Sequence, residues 1–392
     1  MSAAGRGLVA ALAALCVAAC ATPPAAPRPH RAPQVPAPHH PRPSEVRPKL
    51  SPPPPEHPVR LALAQLPGWD AEDHAAAFAA YRATCGVVRA RALAEACVRA
   101  KAFGLLEASE ARRFLEGAFV AEAMSGSGVL TAYFSPIYAG RRTPDAEFSA
   151  PVRGKPLDLV VVDGGLFDPA QAGRPGAARR RGDGGLEPYP DRAAIEAGPD
   201  PSPLAWMRPE ELFFLQIQGS GRLIFEDGDI RKAAYAANNG RPFVGVANPM
   251  RERGLLGRDE TSGEAIRAWL AAHRGPEADA IMRLNPRFAF LSLGADDGRP
   301  PLGAAGFPLP GGRAVAVDPA FHATGALLWI VGEAPMLAGA FPSYRRLVTA
   351  LDVGGAIRGP IRADLYLGEG AAAGSEAGRV RHTLRLYRLV PR

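Results

Sequence analysis

The hydrophobic positions of residues 70–102 and 108–124 recur at the spacing of a helix. Both segments are rich in alanine and contain no proline. In the first segment Phe78, Tyr81 and Val88 fall on one apolar stripe. Alanine favours helices and proline breaks them, so we predict a helix over each segment.

From residue 128 onward the pattern changes to short apolar runs broken by Gly, Pro and Asp, which is typical of strands and turns. These runs include LDLVVVDGGLF, LFFLQIQGSGRLIFEDGDI, RAVAVDPAF and ALLWIVG. One helical interlude over 262–284 interrupts them, and Ser262 is its expected N-cap. We therefore predict a mostly β protein with peripheral helices.

The N-terminus has the pattern of an export signal. Arg6 precedes an apolar run over 8–19, which is shorter than the roughly 20 residues that a membrane span needs. The residues VAAC at 17–20 resemble a bacterial lipobox, so we predict a lipoprotein signal peptide over 1–19 and a lipid anchor on Cys20. Ala21 stands where an aspartate would indicate inner-membrane retention, so we expect a periplasm-facing lipoprotein of the outer membrane of a Gram-negative bacterium. The alternative is a plain signal peptide with an incidental cysteine.

The next segment, 20–60, is predicted to be a disordered tether. Residues 21–60 contain 15 prolines, which have no amide hydrogen and cannot pair into sheets. The same stretch has six Lys or Arg against two Glu, so it carries four of the seven net positive charges of the chain. Because much of the basic charge lies in the tether, the net charge gives no support for nucleic-acid binding. The folded body is expected from residue 61.

Two cysteines remain in the exported body, Cys85 and Cys97. In an oxidising compartment they can form a disulfide. The spacing alone does not fix the distance between their Cα atoms, so two buried thiols are an equal alternative.

The motifs of common catalytic chemistries are missing. The sequence has no HExxH, no paired CxxC and no P-loop, and QGSG at 218–221 is not a nucleophile elbow. We therefore expect no metal ion and no organic cofactor. Carboxylates are left as the candidates for acid–base catalysis.

Two aspartates stand out in LDVGGAIRGPIRADLYLGEG at 351–370. RLVTALD and ADLYLG read as strands on either side of a glycine turn, so Asp352 ends one strand, Asp364 begins the next, and both lie at one edge of a sheet. Two carboxylates held close together cannot both ionise cheaply, so one of them keeps its proton and can act as a general acid. The alternative for either residue is a turn former that binds its own backbone.

The segment ALDVGGAIRGPIRADLYLGEGAAAGSEAG closely resembles the C-terminal signature of the membrane-bound lytic murein transglycosylase A family. Upstream, GVLTAYFSP, DRAAIEAG, LFFLQIQGSGRL, NNGRPFVGV, AIRAWLAAH and NPRFAFL resemble further motifs of the family, and the resemblance covers about 125–392. Leu351 and Val353 depart from the glutamine and threonine that usually flank the first aspartate.

The resemblance implies a double-psi β-barrel with a second β domain inserted into it and a substrate groove between them. The N-terminal helices and the first part of the barrel domain are then expected over 61–128, the inserted β domain over 129–296, and the second part of the barrel, with the catalytic motif, over 297–392. A monomer that acts on the glycan strands of peptidoglycan is expected.

The resemblance also implies the chemistry. Asp364 is the catalytic acid and then the base, and Asp352 tunes or orients it, while the bond between N-acetylmuramic acid and N-acetylglucosamine is cleaved with formation of a 1,6-anhydromuramyl product. Substrate-binding candidates by motif position are Tyr133, Gln218, Ser220 and Gly221. Asp318 is a possible third carboxylate, with a simple turn before Pro319 as the alternative. Two functional alternatives remain, a glycoside hydrolase on the same barrel and a glycan-binding cell-wall lipoprotein without activity.

Overall fold

The computed structural model describes residues 59–87, 91–257 and 261–392. The expected signal peptide, Cys20 and nearly all of the expected tether lie outside these described residues. Within them, no helix has the length and apolar character needed to cross a membrane.

The described residues form strands and helices in a mixed order. The strands are β1 (Arg60–Ala62), β2 (Phe119–Ala123), β3 (Gly128–Ser135), β4 (Ile137–Ala139), β5 (Ala150–Val152), β6 (Leu159–Asp163), β7 (Pro175–Arg180), β8 (Leu186–Pro188), β9 (Ala205–Met207), β10 (Ser220–Ile224), β11 (Ile230–Asn238), β12 (Ala289–Ala295), β13 (Ala314–Val317), β14 (Leu327–Pro335), β15 (Tyr344–Val353), β16 (Arg362–Glu369) and β17 (Arg381–Pro391). The helices are α1 (His74–Thr84), α2 (Arg91–Ala102), α3 (Ala108–Ala118), α4 (Arg192–Ala197), α5 (Pro209–Gln218), α6 (Ala247–Glu252), α7 (Gly263–Ala272), α8 (Pro276–Met282) and α9 (Gly370–Ala377). The expected fold class, mostly β with peripheral helices, is confirmed.

Six strands close into a barrel in the order β17, β14, β15, β13, β16 and β3, and the pairing of β3 with β17 completes the ring. Alternate side chains of these strands fill the interior, among them Leu130, Val315, Leu328 and Leu365. A closed ring leaves no unpaired strand edge, which makes the barrel a rigid support for residues on its outer face.

The N-terminal helices cover the outer face of β14, β15 and β17. Phe78 of α1 and Leu115 of α3 pack in one buried cluster with Trp329 and Leu389 of the barrel. The predicted helices over 70–102 and 108–124 are therefore confirmed in part. The first is divided between α1 and α2, and the second ends at Ala118 because the next residues form β2, which pairs with β1 and β17.

Between β3 and β13 the described residues form three smaller sheets and five α-helices, and this part of the chain is here called the insert region (residues 137–295). Its first sheet has the order β12, β11, β10 and β4. The strand assignment of LFFLQIQ was wrong, since this run lies in α5, with Pro209 at its first turn and Leu212 and Leu215 buried in the core of the insert region. The expected interlude over 262–284 is present as α7 and α8, and Ser262 caps α7 by accepting a hydrogen bond from Ala265 N at 3.1 Å.

Cys85 and Cys97 form a disulfide, with their Cα atoms 5.5 Å apart. Both cysteines are buried in the cluster between the helices and the barrel. The choice that the sequence left open is therefore settled in favour of the bond.

We expect the Cys85→Ala/Cys97→Ala double variant to lose about 3 kcal/mol of the free energy of unfolding, because the cross-link restricts the unfolded chain. Urea unfolding followed by circular dichroism measures this change. The parent protein treated with a reductant is the matched control and should show a similar loss. Equal unfolding free energies for the oxidised and reduced parent would contradict the prediction.

Candidate functional site

Two aspartates face each other across one strand of the barrel. β13 pairs with β15 on one side and with β16 on the other, and the register sets Ala316 opposite both Asp352 and Asp364. The two strands predicted to carry the aspartates are confirmed, but β13 lies between them. Residues in register on adjacent strands share a face, so only the small side chain of Ala316 separates the two carboxylates.

The alternation along β16 directs Asp364 to the outer face of the barrel. Its neighbours Ala363 and Leu365 belong to the interior cluster, and successive side chains of a strand point to opposite faces. Ala316 and Tyr366 belong to a separate buried cluster on the outer face. The site is therefore built on the outside of the barrel wall, away from the face that the N-terminal helices cover.

Asp352 is held by three hydrogen-bond donors. Its Oδ2 accepts from Tyr133 Oη at 2.7 Å, and its Oδ1 accepts from Ala304 N at 3.0 Å and from Val353 N at 2.9 Å. The loop with Ala304 approaches closely because Gly303 has no Cβ, which would lie 2.4 Å from Leu351 O. Val353 contributes through its backbone, so its departure from the family pattern does not remove this hydrogen bond.

Asp364 receives one hydrogen bond from the described residues, donated by Thr131 Oγ1 to Oδ1. Thr131 lies beside Asp364 because β3 and β16 pair in parallel. Arg362 Nη2 in turn donates to Thr131 Oγ1 at 2.9 Å. A guanidinium can only donate, so the hydroxyl proton of Thr131 is directed to Asp364.

Burial raises the pKa of both carboxyl groups. For Asp364 the hydrogen bond from Thr131 and the charge of Arg362 partly oppose this rise in pKa, and the charge of Asp352 adds to it. For Asp352 the rise in pKa is opposed by its three hydrogen-bond donors. Burial and the neighbouring charge of Asp352 raise the pKa of Tyr133 well above its usual value, so Tyr133 remains a donor.

A pocket of about 120 Å³ lies between the barrel and the insert region, with Asp364 in its wall. The barrel also contributes the loop 354–357, and the insert region contributes Arg192, Gln216, Phe243 and Arg287 among others. Apolar and aromatic walls with a few polar groups are typical of small-ligand sites.

The glycine loop that follows Asp352 is held by Asp318 and His322. Asp318 accepts hydrogen bonds from Ala320 N at 3.1 Å and from Gly359 N at 2.8 Å. His322 Nε2 is 2.7 Å from Pro360 O. Burial opposes the charge of Asp318, but the two amide hydrogen bonds bring its pKa below the usual value. Asp318 thus binds its own turn and the neighbouring loop, as the structural alternative predicted.

The four residues expected to bind substrate occupy different positions. Tyr133 contacts Asp352, as described above. Gln218 Oε1 accepts from Phe134 N at 3.0 Å, and Ser220 Oγ is 3.0 Å from Ser135 Oγ. A Cβ at Gly221 would lie 2.6 Å from Pro136 O. These last three residues fasten β10 to the segment that leaves the barrel, and none of them lines the pocket.

Thr131 and Arg362 were missed by the sequence analysis. Their only sequence signal is the alternation along β3 and β16, which puts a polar residue beside Asp364 once the two strands are known to pair. Within the described part of the chain, no group of three or more His, Cys, Asp or Glu side chains is arranged to hold a metal ion.

Comparisons with known proteins match this architecture. Residues 129–292 match the family model described as the MltA specific insert domain, and residues 313–390 match the 3D domain. A curated relative from Vibrio cholerae, named membrane-bound lytic murein transglycosylase A, is 32% identical over 275 residues, which cover 67% of this chain and 66% of the relative. The match thus spans slightly less than two thirds of that relative.

Solved structures match a larger share of the chain than the curated relative does. A membrane-bound lytic murein transglycosylase from Agrobacterium tumefaciens has a TM-score of 0.73 and 31% identity, over 85% of this chain and 97% of that one. The structure of Escherichia coli MltA with bound chitohexaose has a TM-score of 0.61 and 26% identity, over 81% of this chain and 90% of that one. The chain belongs to the membrane-bound lytic murein transglycosylase A family.

Proposed function

We propose that this protein is a peptidoglycan lytic transglycosylase. It cleaves the β-1,4 bond between N-acetylmuramic acid and N-acetylglucosamine and forms a 1,6-anhydromuramyl end, acting as a monomer without a cofactor. The relatives named lytic murein transglycosylases support the reaction class, and the E. coli relative with bound chitohexaose supports an amino-sugar polymer as substrate.

The observation that carries the proposal is the position of Asp364. This half-buried carboxyl lies in the pocket wall and has one hydroxyl donor, whereas Asp352 has three donors. Hydrogen bonds to a carboxylate favour its charged form. The negative charge of the pair is therefore on Asp352, and Asp364 keeps the proton that a general acid needs.

The reaction then needs one carboxyl group in two roles. Asp364 donates its proton to the glycosidic oxygen as the bond from that oxygen to C1 of the muramyl sugar breaks, and positive charge develops at C1. The resulting carboxylate removes the proton from the C6 hydroxyl of the same sugar. The C6 oxygen forms the new bond to C1 and closes the anhydro ring. Asp364 then carries its proton again.

Thr131 and Arg362 support the charged form of Asp364 between these two steps. The carboxylate that remains after proton donation accepts the hydrogen bond of Thr131, whose hydroxyl is oriented by Arg362. A hydrogen bond to a charged group is worth more than one between neutral groups. Thr131 and Arg362 therefore stabilise the deprotonated form of Asp364, and neither of them lines the pocket.

We also propose that the barrel has double-psi topology and that the pocket opens into a groove for a glycan strand between the barrel and the insert region. Parallel pairing of β13 with β15 and of β16 with β3 supports this topology. The groove is supported by the composition of the pocket wall, which contains residues of both the barrel and the insert region.

We expect the parent protein to release 1,6-anhydromuropeptides from isolated murein sacculi, and Asp364→Asn to lower the rate about a thousandfold, because acid–base catalysis contributes factors of this size. Mass spectrometry of the products identifies the anhydro ends and measures the rate at which they are released. Asp183→Asn, at an exposed turn, is the matched control and should keep parental activity.

Two results decide between the proposal and its alternatives. Products heavier by one water, with reducing ends, would identify a hydrolase. Intact sacculi with the parent protein would leave only a glycan-binding role.

We expect Thr131→Val to move the basic limb of the pH profile of kcat/KM to higher pH, since loss of a donor to the carboxylate raises the pKa of Asp364 further. Activity requires the protonated form, so it is lost as pH rises through this pKa. Thr131→Ser keeps the hydroxyl and should keep the parental profile. A basic limb that is unchanged in Thr131→Val, or that moves equally in both variants, would contradict the role of Thr131.

We further propose that Cys20 carries the lipid anchor at the outer membrane. The position lies outside the described residues, and the support is the VAAC motif together with the relatives named as membrane-bound.

We expect Cys20→Ser to move the full-length protein from the membrane fraction to the soluble periplasmic fraction, because several acyl chains give stable membrane binding and an unlipidated chain has none. Immunoblots of fractionated cells measure the distribution, with Cys16→Ser as the control that stays in the membrane. Membrane retention of Cys20→Ser would contradict the anchor.

A further inference from the structure

Two arginines lie against the glycine loop that connects β15 to β16. A Cβ at Gly355 would lie 3.1 Å from the Cζ atom of Arg287 and 3.2 Å from its Nε atom, so the guanidinium of Arg287 packs on this glycine. Arg358 lies at the end of the same loop, and its Nη1 donates to Ile357 O at 3.4 Å. The Ile357 amide donates to Gly354 O at 3.1 Å, which closes the loop into a tight turn and keeps both guanidinium groups beside it.

Neither arginine has a counter-charge among the described residues. Arg287 Nη1 donates to Arg241 O at 3.1 Å, and no carboxylate of the described ranges lies within ion-pair distance of Arg287 or Arg358. The carboxylate that holds this loop, Asp318, accepts from two backbone amides instead. Burial lowers the pKa of Arg287, and the charge of Arg358 lowers it further. Neighbouring like charges without an anion are costly, which indicates that an anion accompanies them in the working state.

The neighbouring Arg192 shows what a satisfied arginine in this wall looks like. It pairs with Glu196 at 3.1 Å and donates to Asn285 O at 3.1 Å and to Arg287 O at 2.8 Å. Its guanidinium also stacks on Phe213, 4.9 Å from the ring centre. Arg192 is therefore committed to the fold, whereas Arg287 has donors left for a ligand.

The missing anion belongs to a ligand that also reaches the catalytic acid, because Arg287 lines the pocket together with Asp364. The sugar rings of murein are uncharged, and the lactyl carboxyl of the muramyl sugar is joined to the stem peptide as an amide. The first free carboxylate of the stem is the α-carboxylate of its second residue, a D-glutamate that continues the chain through its γ-carboxyl. A peptide extends by up to about 3.5 Å per residue, so this carboxylate can lie roughly 7 Å beyond the lactyl carbonyl.

We propose that Arg287 and Arg358 bind the α-carboxylate of the D-glutamyl residue in the stem peptide, an inference that rests on the proposed function. Arg287 approaches this carboxylate from the insert region and Arg358 from the barrel. Only the muramyl sugar carries a stem, so the contact selects which of the two kinds of β-1,4 bond lies beside Asp364. The contact also makes the protein sensitive to amidation of this carboxyl, which removes the anion.

The test measures binding in an Asp364→Asn background, so that the ligands are not cleaved. Two synthetic murein oligomers carry the stem L-alanyl-D-glutamate with its γ-carboxyl capped as a methylamide. They differ only in the α-carboxyl, which is free in the acid ligand and a primary amide in the amide ligand. Calorimetry should show about tenfold tighter binding of the acid ligand, since only this ligand makes a charge-assisted contact. Equal affinities would overturn the inference, and this comparison requires no change to either arginine.

Substitutions then assign the preference to the two arginines. Arg287→Gln should reduce it to less than about twofold, and Arg358→Gln should reduce it to about threefold, because the more exposed guanidinium contributes less. Arg113→Gln, at an exposed position of α3 on the face of the barrel that the N-terminal helices cover, has the same charge change and should keep the full preference. A full preference in both Arg287→Gln and Arg358→Gln would overturn the role of the arginines.

The amide ligand reports on the rest of the groove. It should bind all three variants as it binds the Asp364→Asn protein, because it makes no charged contact with either arginine. Failure of the proposed function has a different signature, since the parent protein would then leave sacculi uncut, whatever its preference between the two ligands.

Discussion

The site depends on the insertion of β13 between the two strands that carry its aspartates. In register with both, Ala316 keeps the carboxylates on one face while holding them apart by the width of a strand. The closed barrel fixes this spacing, because none of its six strands can shift without disrupting the ring. Asp352 accepts three hydrogen bonds and Asp364 one. This difference favours the charge on Asp352 and the proton on Asp364.

Polar contacts between β10, the residues beside it and the barrel strands hold the insert region to the barrel. Gln218 and Ser220 bind the last two residues of β3 through the Phe134 amide and the Ser135 hydroxyl. Arg222 pairs with Asp296 at 3.0 Å and with Glu369 at the end of β16. These contacts join β10 and the end of β12 to β3 and β16 of the barrel. Residues of the QGSG motif thus fix the position of β10 relative to the barrel.

The sequence predicted the fold class and the two strands that carry the aspartates, and its predictions were wrong where distant pairing decides the structure. Residues 119–123 have helical composition, yet they form β2 because β17 offers a partner near the end of the chain. LFFLQIQ was assigned to a strand because a helix buried on several sides has no polar face to reveal its period. Thr131 lies 233 residues from Asp364, so no local pattern connects them.

The hydrogen bonds of Asp352 also bear on the type of reaction. A glycosidase of the usual kind needs a second carboxylate free to attack the sugar or to activate water. The oxygens of Asp352 already accept three hydrogen bonds, from Tyr133 and two backbone amides, which leaves about one of the four lone-pair sites of this carboxylate for another partner. Asp364 accepts one hydrogen bond from the described residues, so in the proposed reaction it is the carboxyl that is more available to the sugar. In the proposed reaction, attack by the sugar's own C6 hydroxyl is then favoured, since the effective concentration of this hydroxyl at C1 greatly exceeds that of water.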